Sequence, residues 1–179
     1  CIWKGDASGP KSARLLLQDP TIDIAVLETA RGGILREGLG VMEVDVGAVL
    51  NVTADHLGLG GVNTLEDLAA VKSVVAESVT SSGVSILNAD DASTRAMARY
   101  AGGRVCFYSA SAIKSALLKE HIIGGGLAIA REAVGDKSHI VLYDDGKRTP
   151  VIAIDDIPAT YSGAAKFNIE NAISATAIA

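Results

Sequence analysis

Thr64-Leu65-Glu66-Asp67-Leu68-Ala69-Ala70-Val71-Lys72-Ser73-Val74-Val75-Ala76-Glu77-Ser78-Val79, followed after a short gap by Val84-Ser85-Ile86-Leu87-Asn88, holds the two patterns from which the fold follows. In the first, Leu65, Leu68, Val71, Val75 and Val79 recur at helical spacing, and Thr64 with Asp67 three residues on makes a capping-box-like start. Ser81-Ser82-Gly83 reads as the stop of that helix. The second is a continuous apolar run, as expected of a strand covered on both faces in a parallel sheet.

Outward from this pair the same alternation continues. Towards the N-terminus, Val46 to Val52 and Asp23 to Glu28, the latter with the core Ile24-Ala25-Val26-Leu27, read as further buried strands. Before them Lys11 to Gln18 is a short helix with Pro10 in its first turn, stopped by Asp19-Pro20. The glycine-rich stretch Thr29 to Gly40 is expected to turn sharply. Towards the C-terminus come a helix over Ala92 to Tyr100, a strand over Arg104 to Tyr108 and a helix over Lys114 to His121. Gly126 to Glu132, His139 to Tyr143 and Thr149 to Ile154 then look like short strands joined by turns such as Asp144-Asp145-Gly146. The expectation is an α/β domain with a doubly wound, mostly parallel sheet flanked by helices, to which the hairpin strands add a small antiparallel sheet.

A chain of 179 residues suffices for one domain with a sizeable core. Hydrophobic residues at 49% exclude a disordered chain, and no apolar stretch reaches the roughly 20 residues that span a bilayer. The 16 Lys and Arg are scattered among 21 Asp and Glu, for a net charge of −5, and aromatics are 4%, so nucleic acid is a poor partner. Cys1 and Cys106 form no ligand spacing or disulfide framework, which points to a reducing cytoplasm.

Ligands of such sheets sit at the carboxyl ends of the strands, and three polar clusters fall there. Glu28 closes the first expected strand, where its carboxylate suits a hard cation such as Mg²⁺ or is simply solvated. Asn51-Val52-Thr53-Ala54-Asp55-His56-Leu57-Gly58 puts an amide, a hydroxyl, a carboxylate and an imidazole into one loop, either a metal and substrate site or an exposed turn. Phe167-Asn168-Ile169-Glu170-Asn171 opens the last helix with two amides on one face: Asn168 is an N-cap, or the pair reads an adenine edge. Lys72 lies beside the apolar stripe of the Thr64 helix, snorkelling to water or partly buried and chemically altered. No G-x-x-x-x-G-K-[ST] loop and no G-x-S-x-G elbow occurs.

Leu27-Glu28-Thr29-Ala30-Arg31-Gly32-Gly33-Ile34-Leu35-Arg36-Glu37-Gly38-Leu39-Gly40 resembles the signature of the Mur-ligase-like half of the cyanophycin synthetases. Gly5-Asp6 with Gly9-Pro10-Lys11-Ser12-Ala13, Asp55-His56-Leu57-Gly58-Leu59, Leu87-Asn88-Ala89-Asp90-Asp91 and Phe167-Asn168-Ile169-Glu170-Asn171-Ala172 follow in the family's order. The resemblance implies part of a P-loop-NTPase-like central domain over residues 1–179, with the phosphate-binding loop upstream and a C-terminal domain downstream. It implies an enzyme that uses ATP and Mg²⁺ to activate a carboxylate as an acyl phosphate, which an amine attacks, joining arginine to an aspartate polymer. On the same footing Glu28 and His56 match the metal ligands, Asn168 and Asn171 the adenine-contacting amides, and Lys72 the lysine that many Mur ligases carry as a carbamate.

Arg31 and Arg36 match no assigned role; paired guanidinium groups there would hold a carboxylate or phosphate through forked hydrogen bonds. The full-length protein is expected to be a cytoplasmic homo-oligomer acting on small molecules, and the fragment alone to be inactive. Competing readings are another Mur-type ligase, for a cell-wall precursor or folyl-polyglutamate, and a non-catalytic nucleotide-binding module.

Overall fold

The computed structural model describes residues 7–55 and 57–179, so Cys1, Gly5-Asp6 and His56 lie outside the described residues. Two short helices, α1 (Pro10–Leu17) and α2 (Arg31–Glu37), come first, followed by β1 (Val44–Val49), α3 (Leu65–Glu77), β2 (Val79–Asn88) and α4 (Ala92–Ala96). Next are β3 (Arg104–Ser109), α5 (Ala116–Ile123), β4 (Leu127–Val134), β5 (Lys137–Asp144), β6 (Lys147–Ala153) and α6 (Lys166–Ile178). All strands belong to one six-stranded sheet in sequence order. β1 to β4 run parallel, and β5 and β6 return antiparallel.

Alternation along the strands sends successive side chains to opposite faces and builds two cores. Leu87 and Phe107 pack with Leu68, Ala76 and Leu118 under α3 and α5. Ile86 and Tyr108 pack with Ile129, Ile140, Ile169 and Ile173 under α6. The sheet is thereby sandwiched between helical layers, the α/β arrangement expected. Gly47 lets α3 lie directly on β1, because a Cβ there would meet the Val75 carbonyl oxygen at 2.5 Å.

Local chemistry sets the ends of these elements. The Thr64 hydroxyl accepts the Asp67 N–H at 3.1 Å and the Asp67 carboxylate accepts the Thr64 N–H at 3.0 Å, completing the capping box of α3. Asp145 and Gly146 both take positive φ, 48° and 74°, which is the two-residue hairpin turn that matches strand twist between β5 and β6.

Four expectations change. The hairpin strands do not form a separate small sheet, since β4 pairs parallel with β3 and carries the meander on as part of the same sheet. Ser81-Ser82-Gly83 does not stop α3; it lies inside β2, where the register jumps from Val44↔Val79 to Val46↔Val84 and the extra residues bulge out. Thr29 to Gly40 holds the seven-residue helix α2 rather than turns alone; Gly33 is buried in it and presses on Pro10 of α1. Asp23 to Glu28 is not a ladder strand, and Ile24 and Val26 are each 84% exposed. An apolar run signals burial but does not name its partner, and among the described residues this one has none.

Candidate functional site

The unpaired segment 23–29 and the open edge of β1 face one another across a cleft of about 740 Å³, within the range of small-molecule sites. Its walls are mainly apolar, from Ala25, Leu27, Val44 and Val49, and its polar groups include Glu28, Arg31, Asn51 and Lys72. Residues that are 44 positions apart in sequence, Glu28 and Lys72, thus line one cavity.

Glu28 is exposed and stands just before α2. Arg31, the first residue of α2, donates to the Leu59 carbonyl at 3.3 Å and so ties the helix to the loop after β1. Arg36 does not line the cleft: it is exposed, one turn further along, and its guanidinium folds back over Gly32. The two arginines are therefore not brought together as a fork.

Lys72 projects from α3, half-buried, and its Nζ donates to the Asn51 carbonyl at 2.7 Å. Burial pulls its amine below the usual lysine range, while the carboxylates of Asp91 and Asp55 work against that shift. The side chain is thus partly buried and its amine is held by a backbone carbonyl.

Asn168 and Asn171 share the opening turns of α6, away from the cleft lining. Asn168 is not the N-cap, which is Ala165; its Nδ2 donates instead to the Ala159 carbonyl at 2.6 Å. Asn171 is exposed. Among the described residues no group of three or more His, Cys, Asp or Glu side chains stands close enough to hold a metal ion, and no helix is long and apolar enough to cross a membrane.

Sequence reasoning missed a set of side chains that fix the exit of β1. Tyr108 Oη and Asn88 Nδ2 both donate to the Leu50 carbonyl, at 3.0 and 2.9 Å. Asn88 Nδ2 also donates to Glu170 Oε1 at 3.1 Å, and Asp91 Oδ2 accepts the Val52 N–H at 3.1 Å. Burial, with Glu170, Asp90 and Asp91 nearby, pushes the Tyr108 hydroxyl far above its ordinary range, so it stays a donor. The motif Leu87-Asn88-Ala89-Asp90-Asp91 was visible, but its partners lie up to 82 residues away.

The layered sheet is that of an α/β ligase-family domain: residues 6–179 match the Mur ligase middle domain, and the chain belongs to that family. More particularly, it is 45% identical over 98% of its length to the cyanophycin synthetase of Nostoc sp., and equally so to that of Synechocystis sp.. It spans only 19% and 20% of those two proteins. A UDP-N-acetylmuramoylalanine–D-glutamate ligase of Desulfitobacterium hafniense is 36% identical over 79% of the chain and 26% of that protein. Among solved structures, MurF of Acinetobacter baumannii superposes with a TM-score of 0.56 at 19% identity, covering 98% of this chain and 35% of that one, and shows the fold alone.

Proposed function

We propose that the chain is the nucleotide-using core of an ATP-dependent amide ligase that joins arginine to an aspartate polymer, as in cyanophycin synthesis. The observation that carries this reading is the cleft at the β1 edge, which Glu28, Arg31, Asn51 and Lys72 all line. In the proposed reaction a carboxylate oxygen attacks the γ-phosphorus of ATP and ADP leaves. The amine then attacks the carbonyl carbon, expelling phosphate and losing a proton. Such chemistry asks a protein chiefly for positioning and charge neutralisation.

Glu28 offers a carboxylate oxygen suited to Mg²⁺, with His56 as second ligand; when bound, the ion would neutralise phosphate charge. Arg31 is the cation suited to a phosphate or carboxylate, whereas Arg36 lies outside the cleft lining. Lys72, whose ammonium burial disfavours, is the lysine proposed to carry a carbamate. Asn168 and Asn171 are the amides proposed to meet the adenine. The phosphate-gripping loop is assigned to parts of the longer parent outside residues 1–179; the open β1 edge beside an unpaired apolar segment supports that assignment. The parent is proposed to be a cytoplasmic homo-oligomer.

The test is ATP consumption by the full-length parent with an aspartate-polymer primer. Turnover that requires free arginine is the expected result. Turnover indifferent to arginine moves the assignment to another Mur-type ligase, and none with any acceptor leaves a nucleotide-binding module.

A further inference from the structure

The backbone ladder between β1 and β2 ends at Val49↔Leu87, whereas the ladder between β2 and β3 continues to Asn88↔Tyr108. One step past the end of β1, side chains replace the ladder. The Leu50 carbonyl receives two donors, one from β2 and one from β3. The Asn51 carbonyl receives Lys72 from α3 on the opposite face, and the Val52 N–H goes to Asp91, which also caps α4 through the Thr94 N–H at 2.9 Å. Three consecutive residues are therefore held from both sides of the sheet, by four side chains from elements distant in sequence.

Asn88 is itself fully oriented. Its two Nδ2 hydrogens serve Leu50 and Glu170, and its Oδ1 accepts the Asp90 N–H at 2.8 Å. Tyr108 is completely buried, and Asn88 is 4% exposed. Buried polar groups of this kind restrict a structure to one arrangement when every member is satisfied. Here the arrangement they restrict is the start of the loop that carries Asn51, Thr53 and Asp55. Glu170 lies between Asn168 and Asn171, so the same network joins the opening of α6 to that loop.

We propose that Tyr108, Asn88 and Glu170 are positioning residues: a clamp that holds the Leu50 carbonyl, and through it the Asn51–Asp55 loop, in place for the reaction at the β1 cleft. The inference rests on the ligase reading for its kinetic consequence, but its structural consequence can be measured without it. Two donors share one acceptor, so either can partly substitute for the other.

A donor–acceptor swap in the full-length protein separates positioning from stability. N88D keeps the acceptor for the Asp90 N–H but removes the donor to Leu50 and faces a carboxylate with Glu170. Adding E170Q restores a hydrogen bond between the two positions without restoring the donor to Leu50. N88D is expected to lower both the thermal midpoint and kcat. N88D/E170Q is expected to recover the part of the midpoint lost to the facing carboxylates, while the carboxylate oxygen introduced at position 88 still opposes the Leu50 carbonyl and kcat remains about tenfold down. Y108F alone leaves Asn88 in place and costs less than about fivefold. Y108F added to the swap costs about 100-fold in kcat, with the KM for ATP little changed.

Amide hydrogen exchange over residues 51–55 should rise in step with lost donors to Leu50, while β2 and β3 stay protected. Full recovery of kcat by the swap, or unchanged exchange at 51–55 in the swapped Y108F variant, overturns the clamp. A wild-type protein that consumes no ATP with any acceptor removes the ligase reading and leaves the exchange result to decide the clamp.

Discussion

The two edges of the sheet are finished differently. β6 ends the sheet with exposed Lys147 and Arg148, with Pro150 inside the strand, and with a register shift opposite Ile140 and Val141. These are devices by which a strand faces water without inviting another to pair with it. At the other edge β1 presents Val44 and Val46 to a cleft, with Ile24 and Val26 exposed across it and Glu28, Arg31, Asn51 and Lys72 among its polar lining. The β6 edge carries the charge and proline suited to solvent, whereas the β1 edge leaves apolar walls, with Asp23, Glu43 and Asp45 along the cleft besides the four polar groups named. Exposure at β1 therefore reads differently from exposure at β6.

That contrast can be tested by substitution, beginning with what both edges depend on. Ile86, completely buried in β2, anchors the shared core, and Ile86→Ala should destabilise the protein by about 3 kcal/mol in denaturant unfolding. A cost under about 1 kcal/mol would mean that the α6 face is not packed as described.

Next comes the cap of α3, the helix that holds Lys72 over the cleft. Thr64→Ala removes the acceptor for the Asp67 N–H and should cost about 1 kcal/mol. The β6 edge should respond least: Val151→Lys, at a half-exposed position, should change stability by no more than about 0.5 kcal/mol and leave ATP turnover unchanged.

Lys72 sharpens the comparison by pH. Its folded pKa lies below the ordinary value of 10.5 because burial disfavours the ammonium. The charged form therefore costs stability below the folded pKa, and that cost is relieved as pH rises from the folded pKa towards 10.5. Acylation of Lys72, followed by peptide mass spectrometry, should accordingly show a midpoint below 10.5, and a midpoint at or above 10.5 would contradict the burial argument.

Much of the layering was legible because it rests on local patterns. Thr64 with Asp67 marked the start of α3, and the apolar runs ending at Asn88 and Tyr108 marked the central strands. What local pattern cannot carry is the identity of a partner. Ile24 to Leu27 has the composition of a buried strand and no ladder among the described residues, and the strand Leu127–Val134 gives no sign that it will join β3 in parallel.

The site divides in the same way. Glu28, Arg31 and Lys72 were found from strand ends and a helical stripe, and the cleft gathers them. Arg36 looked equivalent to Arg31 in sequence, but five residues of helix turn it to solvent. Tyr108 and Glu170 were invisible as site residues, since their hydrogen bonds to Leu50 and Asn88 span 58 and 82 residues.

If the β1 cleft is the reaction site, as proposed, Glu28 is the residue to remove first, because it is exposed and its loss leaves the core intact. ATP turnover should be measured for the full-length parent and its Glu28→Ala variant, with thermal melts alongside. The account predicts a loss of about 10³-fold in turnover with no change in the melting midpoint. Turnover within about twofold of the parent, in a variant that melts normally, would place the chemistry elsewhere.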